Sequence, residues 1–102
     1  MNKRGRKKVE KMKRQRVHKI LDAVLDVNSL ERRTVDLTGE LPTAFFGYSG
    51  HTNHLSVEVF NDGWGIGKKK SLNKWIAVDS LTDHECNKIS VQIKGFQKCP
   101  AM

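Results

Sequence analysis

Apolar residues Val9, Met12, Val17, Ile20, Leu21, Val24 and Leu25 recur largely at steps of three and four, in a stretch without glycine or proline. That period predicts an amphipathic helix from about Val9. Its first half is almost bare of apolar side chains, whereas its second half, about residues 17–27, carries a stripe wide enough to dock on a body. Asn28 and Ser29 are read as its end. Residues 29–42 are polar and mixed, finish in Gly39 and Pro42, and are expected to form a loop.

The period then changes to two. Residues 43–48 (TAFFGY) are β-branched and aromatic and predict a strand, and residues 49–53 (SGHTN) are turn formers. Residues 54–60 (HLSVEVF) alternate, with Leu55, Val57 and Val59 on one face and Ser56, Glu58 and Phe60 on the other. The two runs predict a hairpin. Asn61, Asp62 and Gly63 signal a second turn, which Gly65, Gly67, Lys68, Lys69 and Lys70 extend into a mobile loop. Residues 74–78 (KWIAV) predict a third strand. Ser80 is then expected to cap a helix, with Asp83 near its positive end. Cys86, Ile89, Ile93 and Phe96 would share one face of it, and Gly95 is its stop signal. The β-branched Ile89, Val91 and Ile93 leave a strand as the alternative here. The expected fold is α+β in the order α–β–β–β–α: a three-stranded antiparallel sheet with helices on one face.

A chain of 102 residues, 37% hydrophobic and 29% charged, has room for one small domain with a modest core, which argues against a deep multi-part active site. No apolar run approaches the roughly 20 residues of a membrane-spanning helix. No secretory signal is read. The expectation is a soluble, cytoplasmic protein with no membrane partner.

Charge separates the chain into two parts. The formal net charge is +8, yet residues 1–20 hold ten basic side chains against Glu10, a net of +9, and the rest of the chain is −1. Residues 1–16 are therefore read as a basic arm, disordered or helical, and residues 17–102 as a single α+β domain. Within the arm, residues 1–8 are expected to be disordered alone, because like charges repel and nothing apolar rewards ordering.

Lys3, Arg4, Arg6, Lys7, Lys8, Lys11, Lys13, Arg14 and Arg16 make the arm a polyanion-binding candidate with salt-dependent affinity. On a helix they occupy more than one face, which suits the groove of a structured nucleic acid or a channel between RNA and protein. The arm has no aromatic residue, so base stacking is not its mode. The bland alternative is a solubility tail. Lys68, Lys69 and Lys70 would supplement it from a basic turn. The glycines before them lack phosphate-loop spacing. Trp64 in that loop is a candidate partner contact, with folding back over the sheet edge as the alternative.

Other chemistry is weakly indicated. His51 and His54, with His84 and Cys86, offer zinc-type ligands, but His84 and Cys86 two apart on a helix point away from each other. Ser49 near His51, and Cys86 near His84, lack a surrounding catalytic motif. Glu58, Asp62, Asp79 and Asp83 are scattered, and would hold a divalent metal only in a small nuclease. Cys86 and Cys99 are read as reduced thiols. No cofactor and no enzymatic activity are expected.

The stretch Phe45-Phe46-Gly47-Tyr48-Ser49-Gly50-His51, the alternating run Leu55-Ser56-Val57-Glu58-Val59-Phe60 and the pair Gly63-Trp64 resemble small uncharacterised proteins of prophages and mobile elements in Gram-positive bacteria. The order of a basic N-terminal arm before a small α–β–β–β–α body is also similar to one kind of type II-A anti-CRISPR protein. That resemblance implies inhibition of a guide-RNA-loaded CRISPR nuclease in a bacterial host cell, and it transfers no individual residue. The leading expectation is a non-enzymatic protein that binds nucleic acid or a nucleoprotein through its arm, as a monomer or homodimer. A plain DNA- or RNA-binding regulator is the alternative, and a metal-dependent nuclease a third.

Overall fold

The computed structural model describes residues 3–30, 41–65 and 67–96. Helix α1 (Lys3–Asn28) is followed by strands β1 (Thr43–Ser49), β2 (His54–Phe60) and β3 (Leu72–Ala77), a single 3-10 turn (Val78–Ser80), and helix α2 (Asp83–Lys94). The strands form one three-stranded sheet in the order β1-β2-β3. Both pairings are antiparallel. The α+β architecture read from the sequence is thus observed. The loop expected over residues 29–42, Gly39 included, falls largely outside the described residues, as do Ile66 and Cys99.

Register assigns the two faces of the sheet. Tyr48 pairs with Leu55, Phe46 with Val57 and Ala44 with Val59, while Leu55 pairs with Ile76 and Val59 with Leu72. These residues share the inner face, where Leu55, Val57 and Val59 are completely buried. The helices close this face. Ile20, Ala23, Val24 and Val27 of α1 and Cys86 and Ile93 of α2 complete the core with Ala44, Ile76, Val78 and Leu81. Asn28 fastens the end of α1 to edge strand β1. Its Nδ2 donates to the Ala44 carbonyl and its Oδ1 accepts the Ala44 N–H, both at 2.8 Å. A lone hairpin is marginal in water, so a third strand and this helical cover are what allow so small a sheet to stand.

Three expectations are corrected, and one alternative falls away. Residues 3–8, expected to be disordered, are helical and continuous with the rest of α1. Helix nucleation is costly but propagation is cheap, and lysine and arginine are good helix formers, so a docked C-terminal half extends into the charged half. The arm–body boundary at 16/17 therefore crosses an unbroken helix. The third strand runs Leu72–Ala77, not 74–78, because Val78 is buried in the 3-10 turn instead. The cap of α2 is Thr82, not Ser80: Thr82 Oγ1 accepts the Glu85 N–H at 3.1 Å. Residues 89–93 are helical, which removes the strand alternative.

Candidate functional site

A helix of 26 residues is about 39 Å long, yet none of its residues before Ile20 is buried. Lys13 is the first whose side chain bonds to the body. Its Nζ lies 2.6 Å from Asp79 Oδ1. Arg16 follows, with Nε donating to Asp83 Oδ1 at 2.7 Å and Nη1 to the Leu81 carbonyl at 2.9 Å. Lys19 Nζ donates to Asn87 Oδ1, and the Cys86 thiol donates to the Arg16 carbonyl at 3.2 Å. Residues 3–11 project past these anchors, over about 13 Å of helix. The molecule is accordingly long, with extents of 52 × 28 × 21 Å.

The anchors divide the predicted cations into two sets. Lys13 and Arg16 hold the helix down, and Arg14 Nη2 reaches back to Glu10 at 3.0 Å. Lys3, Arg4, Arg6, Lys7, Lys8 and Lys11 form no ion pair or side-chain hydrogen bond among the described residues, and all six are exposed. Arg4, Lys7, Lys8 and Lys11 are spaced by three and four and therefore share one face. The docking stripe Ile20, Ala23, Val24 and Val27, extended up the helix, passes through Val9 and Met12 instead. The cationic strip lies on the opposite side, turned away from the body. Arg6 is in phase with Val24, on the docking side, and Lys3 stands between the two.

The anchoring acids respond to their partners. The hydrogen bond from Lys13, then that from Asn53, holds the Asp79 carboxyl below its ordinary value. The Arg16 guanidinium does the same for Asp83. A groove of about 410 Å³ runs between the first anchored turn and the end of the hairpin, lined by Lys13, Arg14, His18, Tyr48 and Asn53.

The loop cations sit elsewhere. Lys70 Nζ donates to Glu58 Oε1 at 3.0 Å, on the outer face of the sheet. Lys68 and Lys69 belong to the same connection, and Lys68 N–H bonds to the Gly65 carbonyl. Strand β3 follows this loop, with no helix to make a phosphate-binding turn. Gly63 has φ 90°, a left-handed conformation that a side chain would strain, and it turns the chain after β2. Trp64 folds back, its ring edge-on to Phe45 at a centroid distance of 6.1 Å. The structure thus does not bring Lys68, Lys69, Lys70 and Trp64 together with the arm.

Pairing and burial leave the weaker chemistry dispersed. Glu58, Asp79 and Asp83 each bond a different cation, and Asp62 is on an exposed turn. Among the described residues no group of three or more His, Cys, Asp or Glu is placed to hold a metal ion. No hydrogen bond joins Ser49 to His51 or His84 to Cys86 among them. Burial pushes the Cys86 thiol up, against a smaller opposing effect of Lys19.

The sequence placed Ser56, Glu58 and Phe60 on the outer face of β2 and suggested the sheet and the Trp64 loop as a second contact, but did not bring Phe45, His54 and Trp75 onto that face. Phe45, Gly47, His54, Ser56, Glu58, Phe60, Asn73 and Trp75 lie on it by register. Trp75 stacks flat on His54, centroids 4.8 Å apart and planes 11° from parallel. The parity of Trp75 against the buried Ile76 was the available signal. Comparison of the chain with protein-family models, curated proteins and solved structures finds no match. No helix of the described residues is long and apolar enough to cross a membrane.

Proposed function

We propose that this chain is a non-enzymatic binding protein that grips nucleic acid, free or within a nucleoprotein, through the projecting half of α1. The observation that carries this reading is the strip Arg4, Lys7, Lys8 and Lys11: exposed, without partners among the described residues, and turned away from the docking face. Four cations along about 10 Å of helix match the repeat of a phosphate backbone better than an isolated anion. Lys13 and Arg16 act as fasteners that fix the direction of the strip, and are not counted among the binding cations.

In its most specific form the target is a guide-RNA-loaded CRISPR nuclease of the bacterial host, inhibited by occupation of a nucleic-acid channel. That form, the cytoplasmic setting and the phage or mobile-element origin rest on the resemblances of the arm-and-body order and of the Phe45 to Trp64 stretch. A rigid basic helix is also what a plain DNA- or RNA-binding regulator would use.

The test is a titration of the full chain and of the variant with Arg4, Lys7, Lys8 and Lys11 all changed to alanine. The probes are duplex and single-stranded oligonucleotides. Binding by the native chain should fall steeply with salt. Loss of four phosphate contacts should reduce the slope of log K against log salt by roughly 3 to 4. Equal affinity and slope for both proteins would overturn the reading. An assay of RNA-guided cleavage with each protein then separates an inhibitor from a regulator.

A further inference from the structure

The geometry points to a second nucleic-acid surface: the outer face of the sheet as a stacking platform for unpaired bases. It rests on the proposed function only in taking nucleic acid as the ligand, because its residues are none of those in the strip. The helices cover the inner face and leave most of the outer face open to solvent, apart from the buried Thr43 and Phe60 at one end. Its large exposed apolar side chains are aromatic. Trp75 is 63% exposed, Trp64 51% and Phe45 40%. No leucine, isoleucine, valine or methionine lies on this face by register.

Two stations are built on it. At one, the His54 ring lies flat against that of Trp75, and its Nδ1 is hydrogen-bonded to the Thr52 carbonyl at 2.7 Å. The indole is thereby fixed in orientation with its other surface available. At the other, Phe45 packs edge-on to both Phe60 and Trp64, at centroid distances of 5.7 and 6.1 Å. Trp75 pairs with Ser56 and Phe45 with Glu58, so the stations stand on opposite edge strands, about 12 Å apart from the spacing of strands and residues. One base cannot bridge that distance, but two bases of one strand can reach it.

The floor between them is low and polar. A Cβ at Gly47 would come within 2.7 Å of Ser56 Oγ, so the serine hydroxyl lies over the glycine backbone. Ser56, Asn73 and the Lys70–Glu58 pair offer hydrogen-bonding groups beside the rings. Lys69, exposed in the loop that carries Trp64, brings positive charge to one end, while the charge of Lys70 is met by Glu58. Aromatic rings, a polar floor and a cationic rim match planar bases on a phosphate chain.

Both tryptophans of the chain belong to this face, so tryptophan emission, excited at a wavelength that Tyr48 does not absorb, reports on it alone. The experiment titrates the full chain with oligothymidylate, whose bases are unstacked and free to bind, and with a duplex of equal length. Oligothymidylate should quench the emission, and the duplex should not. Trp75→Ala, at an exposed position, should retain the native circular dichroism and weaken oligothymidylate binding by roughly 5- to 150-fold. The alanine variant of the strip should bind more weakly but reach the same quench at saturation. Oligothymidylate binding without quenching, or unchanged by Trp75→Ala, overturns the platform and leaves the strip standing. A dimer in sedimentation that Trp75→Ala dissociates also overturns it, by making the face a contact between copies.

Discussion

Asp79 Oδ1 receives both Lys13 Nζ, at 2.6 Å, and Asn53 Nδ2, at 3.2 Å. Asn53 Oδ1 in turn accepts the Tyr48 hydroxyl at 2.8 Å. One exposed carboxylate thus ties the helix to the turn between β1 and β2. Asp79→Ala should release the first anchored turn of α1 and leave the core intact. Amide hydrogen exchange should then quicken several-fold over residues 9–16, with little change in the strands. Uniform quickening would show that the contact supports the whole fold.

Acid should act at the same place. The folded-state pKa values of Asp79 and Asp83 are lowered from an ordinary value of 3.8 by Lys13 and Arg16. A lowered folded value means that the stabilisation is full above the ordinary value and is lost as pH falls below it, through the folded value. The Tm of the native chain should therefore decline below pH 4 more steeply than that of the Asp79→Asn, Asp83→Asn double variant. Parallel curves would show that neither pair holds the helix in solution.

The core prediction concerns Leu55, which is completely buried at the centre of the sheet. Leu55→Ala should cost about 2–5 kcal/mol, from lost burial and the cavity left behind. Urea unfolding would measure it. A cost near zero would mean that β2 does not lie between the other strands as described.

Whether the strip works as a rigid row is a separate question. Val9→Pro keeps every cation but breaks the helix within its projecting part. Circular dichroism should lose helix signal, the Tm of the body should hold, and affinity for polyanions should fall. Unchanged affinity would make the cations a tail whose shape is irrelevant.

Cys86 gives a probe of docking. It is 1% exposed and its thiol, raised by burial, donates to the Arg16 carbonyl. In a Cys99→Ser background it should resist alkylation at neutral pH and react once urea unfolds the chain. Fast native labelling would mean that α1 leaves α2 readily.

What could be read in the sequence followed from period. The alternation of Leu55, Val57 and Val59 was legible because one face of β2 is fully buried and the other is not. The helical reading of residues 17–27 located the docked half of α1, although Ala23 and Val27 proved to be core and Leu25 half exposed. The projecting half was obscured because repulsion among its cations and the helix propensity of those same residues point opposite ways. Val78 misled the strand boundary, since apolar character does not separate a strand end from a buried turn. Ser80 and Thr82 both suit a cap, and only backbone geometry chooses between them. Phe45 and Trp75 went unrecognised as a surface because they meet only through pairing across three strands.

The anchored half of α1 also sets the bearing of the free half. Each residue of an α-helix advances the rotation by about 100°. A single alanine inserted after Met12 would swing Arg4, Lys7, Lys8 and Lys11 around the axis without altering the number of cations or the total charge. Seven inserted residues would nearly restore their azimuth while moving them outward. Recognition by this protein would thus be written in phase, and chains equal in cations would differ in what they can reach.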